Sequence, residues 1–149
     1  MSNVYLALYK GRKTGNNPTA LLARFSDWFT RKLTRGEYSH CEIAYLSYDG
    51  NYCCRSASIR DGGVRQKIMP LPPDKWDLIP VELDEDRLIW FFYRTQGKRY
   101  DWFGAVGIVL PFRHAKSKYF CSEWCAEMLE LEKPEQYSPN DLAALYHKK

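Results

Sequence analysis

Apolar and polar positions alternate with two different periods along this chain, and the change of period divides it into strands and helices. Val4-Tyr5-Leu6-Ala7-Leu8-Tyr9 is short and rich in β-formers, which predicts a strand. The polar stretch from Lys10, with Gly11, Gly15, Asn16, Asn17 and Pro18, predicts a loop. From Thr19 to Leu33 the apolar residues Leu21, Leu22, Phe25, Trp28, Phe29 and Leu33 recur near helical spacing. Ser39 to Tyr48 reads as a strand, Asp49-Gly50-Asn51 as a hairpin turn, and Tyr52 to Ile59 as its partner. Asp61-Gly62-Gly63 turns the chain again into a strand from Val64 to Met69, which makes an antiparallel meander.

The second half is more helical. After the proline-rich connector Pro70 to Pro73, Trp76 to Leu83 predicts another strand. Asp84 to Gln96 predicts a helix capped by Asp84, apolar at Leu88, Ile89, Phe92 and Tyr93, and stopped at Gly97. Tyr100 to Leu110 is aromatic and glycine-rich, and fits a tightly packed helix or an irregular core segment. Cys121 to Leu131 predicts a helix with Trp124, Cys125, Met128 and Leu129 on its apolar side. Ser138-Pro139 has the form of a cap and first helical residue, opening a short helix to Tyr146. No repeat or long linker divides the chain, so residues 1–149 read as one α+β domain.

Composition adds bounds. With 45% apolar residues in 149, the chain can bury one core. A formal charge of only +4, with scattered Lys and Arg, argues against nucleic acid as a partner and leaves room for anionic substrates. Met1-Ser2-Asn3 runs straight into apolar residues without a basic n-region, so no signal peptide is expected. No stretch approaches the about eighteen apolar residues of a transmembrane span. The expectation is a cytoplasmic protein with reduced thiols; delivery by lysis or injection stays open. The five cysteines, Cys41, Cys53, Cys54, Cys121 and Cys125, lack the paired spacing of a zinc site, and neither a metal nor a cofactor is expected.

The candidate chemistry centres on Cys121. A thiol at a helix start meets unpaired amides and the positive end of the helix dipole, which favour its thiolate, and the amides of Cys121 and Ser122 can hold an oxyanion. His40, at the start of a strand, is the candidate general base. A third polar group must orient its ring. Ser56 and Ser58 lie on the hairpin partner strand, and Glu42 lies two residues after His40 on the same strand face. Tyr38 and Tyr100 are candidates to line the cleft or donate to the oxyanion, and His114, in the basic stretch Arg113 to Lys118, to bind an anionic substrate group. Cys41 is expected to point away from His40 into the core. Cys125 is one turn after Cys121, which fits core packing or a redox role.

These residues resemble a known family. Tyr38-Ser39-His40-Cys41-Glu42-Ile43-Ala44 resembles the S-H-x-x-I strand of the circularly permuted NlpC-like (YiiX-like) papain-fold cysteine hydrolases, a group related to lecithin:retinol acyltransferase. Tyr119-Phe120-Cys121-Ser122-Glu123 resembles the Y-x-C-S-E nucleophile helix of that group, and Tyr100-Asp101 the Y-D before it. Gly63-Val64 and Ser138-Pro139-Asn140-Asp141-Leu142 match in position, and the likeness spans roughly residues 4–145. His40 precedes Cys121, as the permuted order requires. The resemblance implies a papain-like antiparallel sheet of about five strands packed against helices. It also implies attack on an amide, ester or thioester carbonyl through an acyl-enzyme. The substrate would be a peptide, a peptidoglycan fragment or a lipid acyl group. Many relatives carry a Glu on the second strand as third catalytic group; the matching stretch Cys53 to Ser58 has no carboxylate, and Ser56 is the positional match, with Glu42 the alternative. Two other readings stay open: a weakly active or inactive binding module on the same fold, and a thiol redox protein using Cys121 and Cys125.

Overall fold

The computed structural model describes residues 3–12, 15–34, 36–100 and 118–148. Its centre is an antiparallel sheet built by β1 (Val4–Tyr9), β2 (His40–Leu46), β3 (Tyr52–Ser58), β4 (Gly63–Met69) and β5 (Trp76–Pro80). Two short strands, β6 (Arg99–Tyr100) and β7 (Lys118–Tyr119), extend it to the order β5-β1-β2-β3-β4-β6-β7, with only β6 and β7 parallel. The helices are α1 (Pro18–Thr34), α2 (Glu85–Thr95), α3 (Cys121–Met128) and α4 (Pro139–Tyr146). The class is therefore α+β.

The main core forms where α2, α3 and α4 meet one face of the sheet. Val4, Leu6 and Leu8 on β1 and Cys41 and Ile43 on β2 pack there with Leu88, Phe92, Trp124, Met128 and Leu142. Odd and even strand positions point to opposite faces, so one face of β1 and β2 is filled with large apolar groups. Trp124 is fully buried, and its indole N–H donates to Thr95 Oγ1 at 2.8 Å, which ties α3 to α2. A smaller cluster of Ala7, Ala44, Cys54, Leu71 and Trp76 covers part of the other face.

The helix ends follow local chemistry. Asn17 Oδ1 accepts from Ala20 N at the start of α1, and Asp84 from Asp86 N at α2. Ser138 and Asp141 form a reciprocal capping box at α4. Two elements end earlier than the sequence predicts. β5 stops at Pro80, which cannot donate to the ladder. α3 stops at Met128 because Glu130 turns left-handed (φ 59°), with Glu130 N bonded to Glu127 O and Leu131 N to Ala126 O. This Schellman closure carries a glutamate where glycine is usual, so the sequence held no stop signal. α1 differs in what it buries. Ala20 and Ala23 are buried, while Leu21, Leu22, Phe25 and Trp28 stay exposed. The Arg31 guanidinium anchors the helix by donating to Gly11 O and Ser39 Oγ.

One glycine is required by close approach. At Gly63 (φ 157°) an added Cβ would lie 2.0 Å from Lys98 O, the acceptor of Val64 N. This contact lets the turn after α2 bring β6 against the start of β4.

Candidate active site

The site lies where β2 and β3 part. Their pairing runs from Leu46–Tyr52 only as far as Ile43–Arg55. Beyond it β2 stays with β1 to the pair Tyr9–His40, while β3 stays with β4 to Ser58–Gly63. The fork leaves the main-chain groups of Cys41 without strand partners on the β3 side. Two side chains supply them. The Ser56 hydroxyl donates to Cys41 O at 2.8 Å, and the Cys41 N–H donates to the Cys121 sulfur. A buried strand edge must satisfy its polar groups somehow, and here it does so by receiving the start of α3.

Cys121 is the first residue of α3, after Phe120 in extended conformation with no side-chain cap. The first amides of the helix therefore face the thiol end rather than a capping oxygen. Three groups act on the sulfur: the Cys41 thiol, the His40 ring and the Cys41 main-chain N–H. The Cys41 thiol, as hydrogen-bond donor, lowers the Cys121 pKa most; the charge and hydrogen bond of His40 and the Cys41 N–H add to this and outweigh burial, leaving it well below an ordinary thiol. His40 behaves reciprocally. Burial disfavours its charged form, but the Cys121 thiolate and Glu42 overcome this and raise its pKa above 6.5. The arrangement favours a thiolate–imidazolium pair.

Glu42 holds the other side of the ring. His40 Nε2 lies 3.0 Å from Glu42 Oε1, so Nδ1 is the ring nitrogen left for the sulfur. The residues are two apart on one strand and share a face, opposite to Cys41. Arg65 on β4 then grips Glu42 with both terminal nitrogens, each at 2.7 Å, and donates through Nε to Asp61 at 2.8 Å. Lys67 donates to the second oxygen of Asp61 at 2.7 Å. Burial would raise the Glu42 pKa, but Arg65 and His40 prevail and bring it down to about 2. The result is a linear chain of alternating groups: thiol, imidazole, carboxylate, guanidinium, carboxylate, ammonium.

The other sequence candidates sort as follows. Ser56 does not orient the imidazole: its hydroxyl is committed to Cys41 O and lies 4.0 Å from Cys125 Sγ, and Glu42 stands beside His40 instead. The reason is the fork, which carries Ser56 away from His40 and toward the orphan carbonyl. Tyr38 is not free to serve an oxyanion, because its hydroxyl donates to Asp77 Oδ2 at 2.6 Å. Burial and that carboxylate both push its pKa above the ordinary phenol range. Ser122 is buried and its hydroxyl has no partner among the described residues. Tyr100 lies in β6, opposite Tyr119. His114, with Asp101 and most of the basic stretch around it, falls outside the described residues. Cys41, Cys121 and Cys125 are buried free thiols in one cluster.

Sequence reasoning missed three participants. Arg65 lies on a strand with no motif to mark it. Cys41 was assigned to the core, where it lies, but its thiol also touches Cys121. Asn140 fell inside a recognised segment without a role. Its side chain accepts from Tyr38 N at 3.0 Å and donates to Tyr38 O at 2.9 Å, clamping the chain just before His40.

Beside the imidazole, on the face of the sheet away from α3, is a cleft of about 170 Å³. Its lining is apolar at Tyr9, Met69 and Trp76 and polar at Ser58, Arg60, Asp61 and Lys67, together with His40, Glu42 and Arg65. The Trp76 ring stands edge-on to His40, with centroids 6.4 Å apart. Among the described residues no group of three or more His, Cys, Asp or Glu side chains is placed to hold a metal ion. No helix among them is long and apolar enough to cross a membrane.

No family model matches the chain, and neither a curated protein nor a solved structure matches it.

Proposed function

We propose that this domain is a cysteine hydrolase or acyltransferase acting on an amide, ester or thioester carbonyl. The observation that carries the reading is the buried Cys121–His40–Glu42–Arg65 chain at a helix start. In the first step the Cys121 thiolate attacks the carbonyl carbon and a C–S bond forms. The α3 amides face the oxygen that gains charge. As the bond to the leaving oxygen, nitrogen or sulfur breaks, its electron pair departs with that atom and His40 donates the proton. In the second step water, or an acceptor alcohol or amine, loses a proton to His40 and displaces Cys121 as thiolate. Glu42 keeps the ring oriented and favours its charged form. Arg65 keeps Glu42 ionised, so it acts as a positioning residue. The likeness to the permuted papain-fold hydrolases agrees with the roles of Cys121 and His40 and points to peptide, peptidoglycan or lipid acyl substrates. Glu42 beside His40 supplies the carboxylate that β3 lacks.

The test is labelling with an acyl-mimetic electrophile. Wild type is expected to label at Cys121, and Cys121→Ala to lose about 10⁴-fold or more of its reactivity. Labelling that persists in Cys121→Ala would sink the assignment. Reactivity should rise with pH through the lowered pKa of Cys121, and decline only above the usual histidine range, when His40 gives up its proton.

A thiol redox protein is the second reading, favoured by the contact of Cys41 with both Cys121 and Cys125. Mass spectrometry after mild peroxide treatment would show a disulfide within this cluster if it applies.

A further inference from the structure

We infer that the cleft beside His40 is the leaving-group subsite, and that the departing alcohol or amine carries an anionic group. The inference rests on the hydrolase reading above. His40 must deliver its proton to the departing atom, so that atom passes along the ring as it leaves. The ring borders one side of the cleft. At about 170 Å³ this space is below the roughly 300–1,000 Å³ of ordinary ligand pockets, so it admits one small group rather than an extended chain.

The walls define the chemistry of that group. Tyr9 and Trp76 meet edge to face, with centroids 5.0 Å apart, and with Met69 supply the apolar part of the lining. Ser58, only 7% exposed, also lines the cleft. The ammonium of Lys67 stands near the mouth, its side chain 46% exposed. Arg60, Arg65 and Lys67 oppose Glu42 and Asp61 around the cleft, and the His40 imidazolium adds to the positive side. Arg60 also borders a second hollow, with Gly15, Asn17, Thr19 and Ala20 at the start of α1. Cations outnumber carboxylates in the lining of the cleft, and this balance favours a carboxylate or phosphate on the leaving side.

The experiment compares two acetate esters, 4-acetoxybenzoate and its methyl ester, with kcat/KM for each divided by its uncatalysed hydrolysis rate. The anionic ester is expected to be preferred about tenfold, the size of one charge-assisted hydrogen bond. Aryl phosphate in place of benzoate separates phosphate from carboxylate as the better group. In the Arg60→Gln, Lys67→Gln double variant the preference should shrink toward one, as it should in wild type near 1 M salt. Equal normalised rates in wild type, or an unchanged preference in the double variant, would overturn the subsite. If neither ester turns over in a Cys121-dependent way, the hydrolase reading fails. Binding of 4-hydroxybenzoate against its methyl ester, followed by NMR, then decides the subsite alone. Tighter anion binding that the double variant weakens supports it, and no preference overturns it.

Discussion

The two faces of the same strands solve different problems. On the face toward α2 and α3, Leu6, Leu8 and Ile43 pack against Trp124 and Leu142 in a core closed to water. On the other, Tyr9, His40, Glu42, Arg65 and Lys67 surround an open cleft. The first face gains its stability from apolar area and close packing, and tolerates apolar exchanges that keep the volume. The second depends on the order of charges, because each group in the chain is held by the next. Removing one partner there strands the neighbour as an uncompensated buried charge. The lesson is that this domain places the polar chain at the sheet's fork, where backbone groups need partners anyway, and keeps it off the packed face.

Four changes test that contrast, in descending size. Arg65→Met should destabilise the fold by about 3–5 kcal/mol, because it leaves the Glu42 carboxylate buried without its guanidinium; urea unfolding measures it. The same variant should lose activity even where it is folded, as Glu42 regains protons and the imidazolium loses its support. Leu6→Ala on the packed face should cost about 2–5 kcal/mol, yet leave the pH dependence of Cys121 labelling unchanged in the folded fraction. A shifted profile in Leu6→Ala would break the separation between the faces.

Acid titration sharpens it further. The Glu42 pKa is lowered in the fold from 4.5 to about 2, so its contribution is complete above the unfolded value and is lost as pH falls through the folded one. Wild type should therefore shed ~3 kcal/mol between about pH 4.5 and 2 from this group, and Arg65→Met much less. Stability against pH by denaturant midpoint reads both. Ser56→Ala should have the smallest effect, about 1–2 kcal/mol, from the Cys41 carbonyl it leaves unpaired. The His40 titration, followed by NMR, should barely move; a large shift would restore Ser56 to the imidazole.

Much of this was legible in the chain. Alternation in Val4 to Tyr9, the turns at Asp49-Gly50 and Asp61-Gly62-Gly63, and the caps at Asp84 and Ser138 are local signals, and the elements they predict are present within a few residues. The nearness of Glu42 to His40 was legible too, since strand geometry places residues two apart on one face. Its rank below Ser56 came from the resemblance, which expected the third group on the next strand. That expectation assumed a continuous β2–β3 ladder, and the ladder stops at Ile43–Arg55.

By itself, then, the sequence determined the α+β class, the meander and the helix start at Cys121, because each depends on period, turn chemistry or capping within a few residues. Only the tertiary structure decided that β2 and β3 part, that Cys121 enters the fork, that Ser56 serves a carbonyl, and that Arg65 rather than any motif residue holds Glu42. Those outcomes depend on which orphaned backbone groups and buried charges meet across long separations in sequence. No local pattern encodes such meetings, since hydrogen-bond and charge satisfaction is settled only when the whole sheet and α3 are assembled.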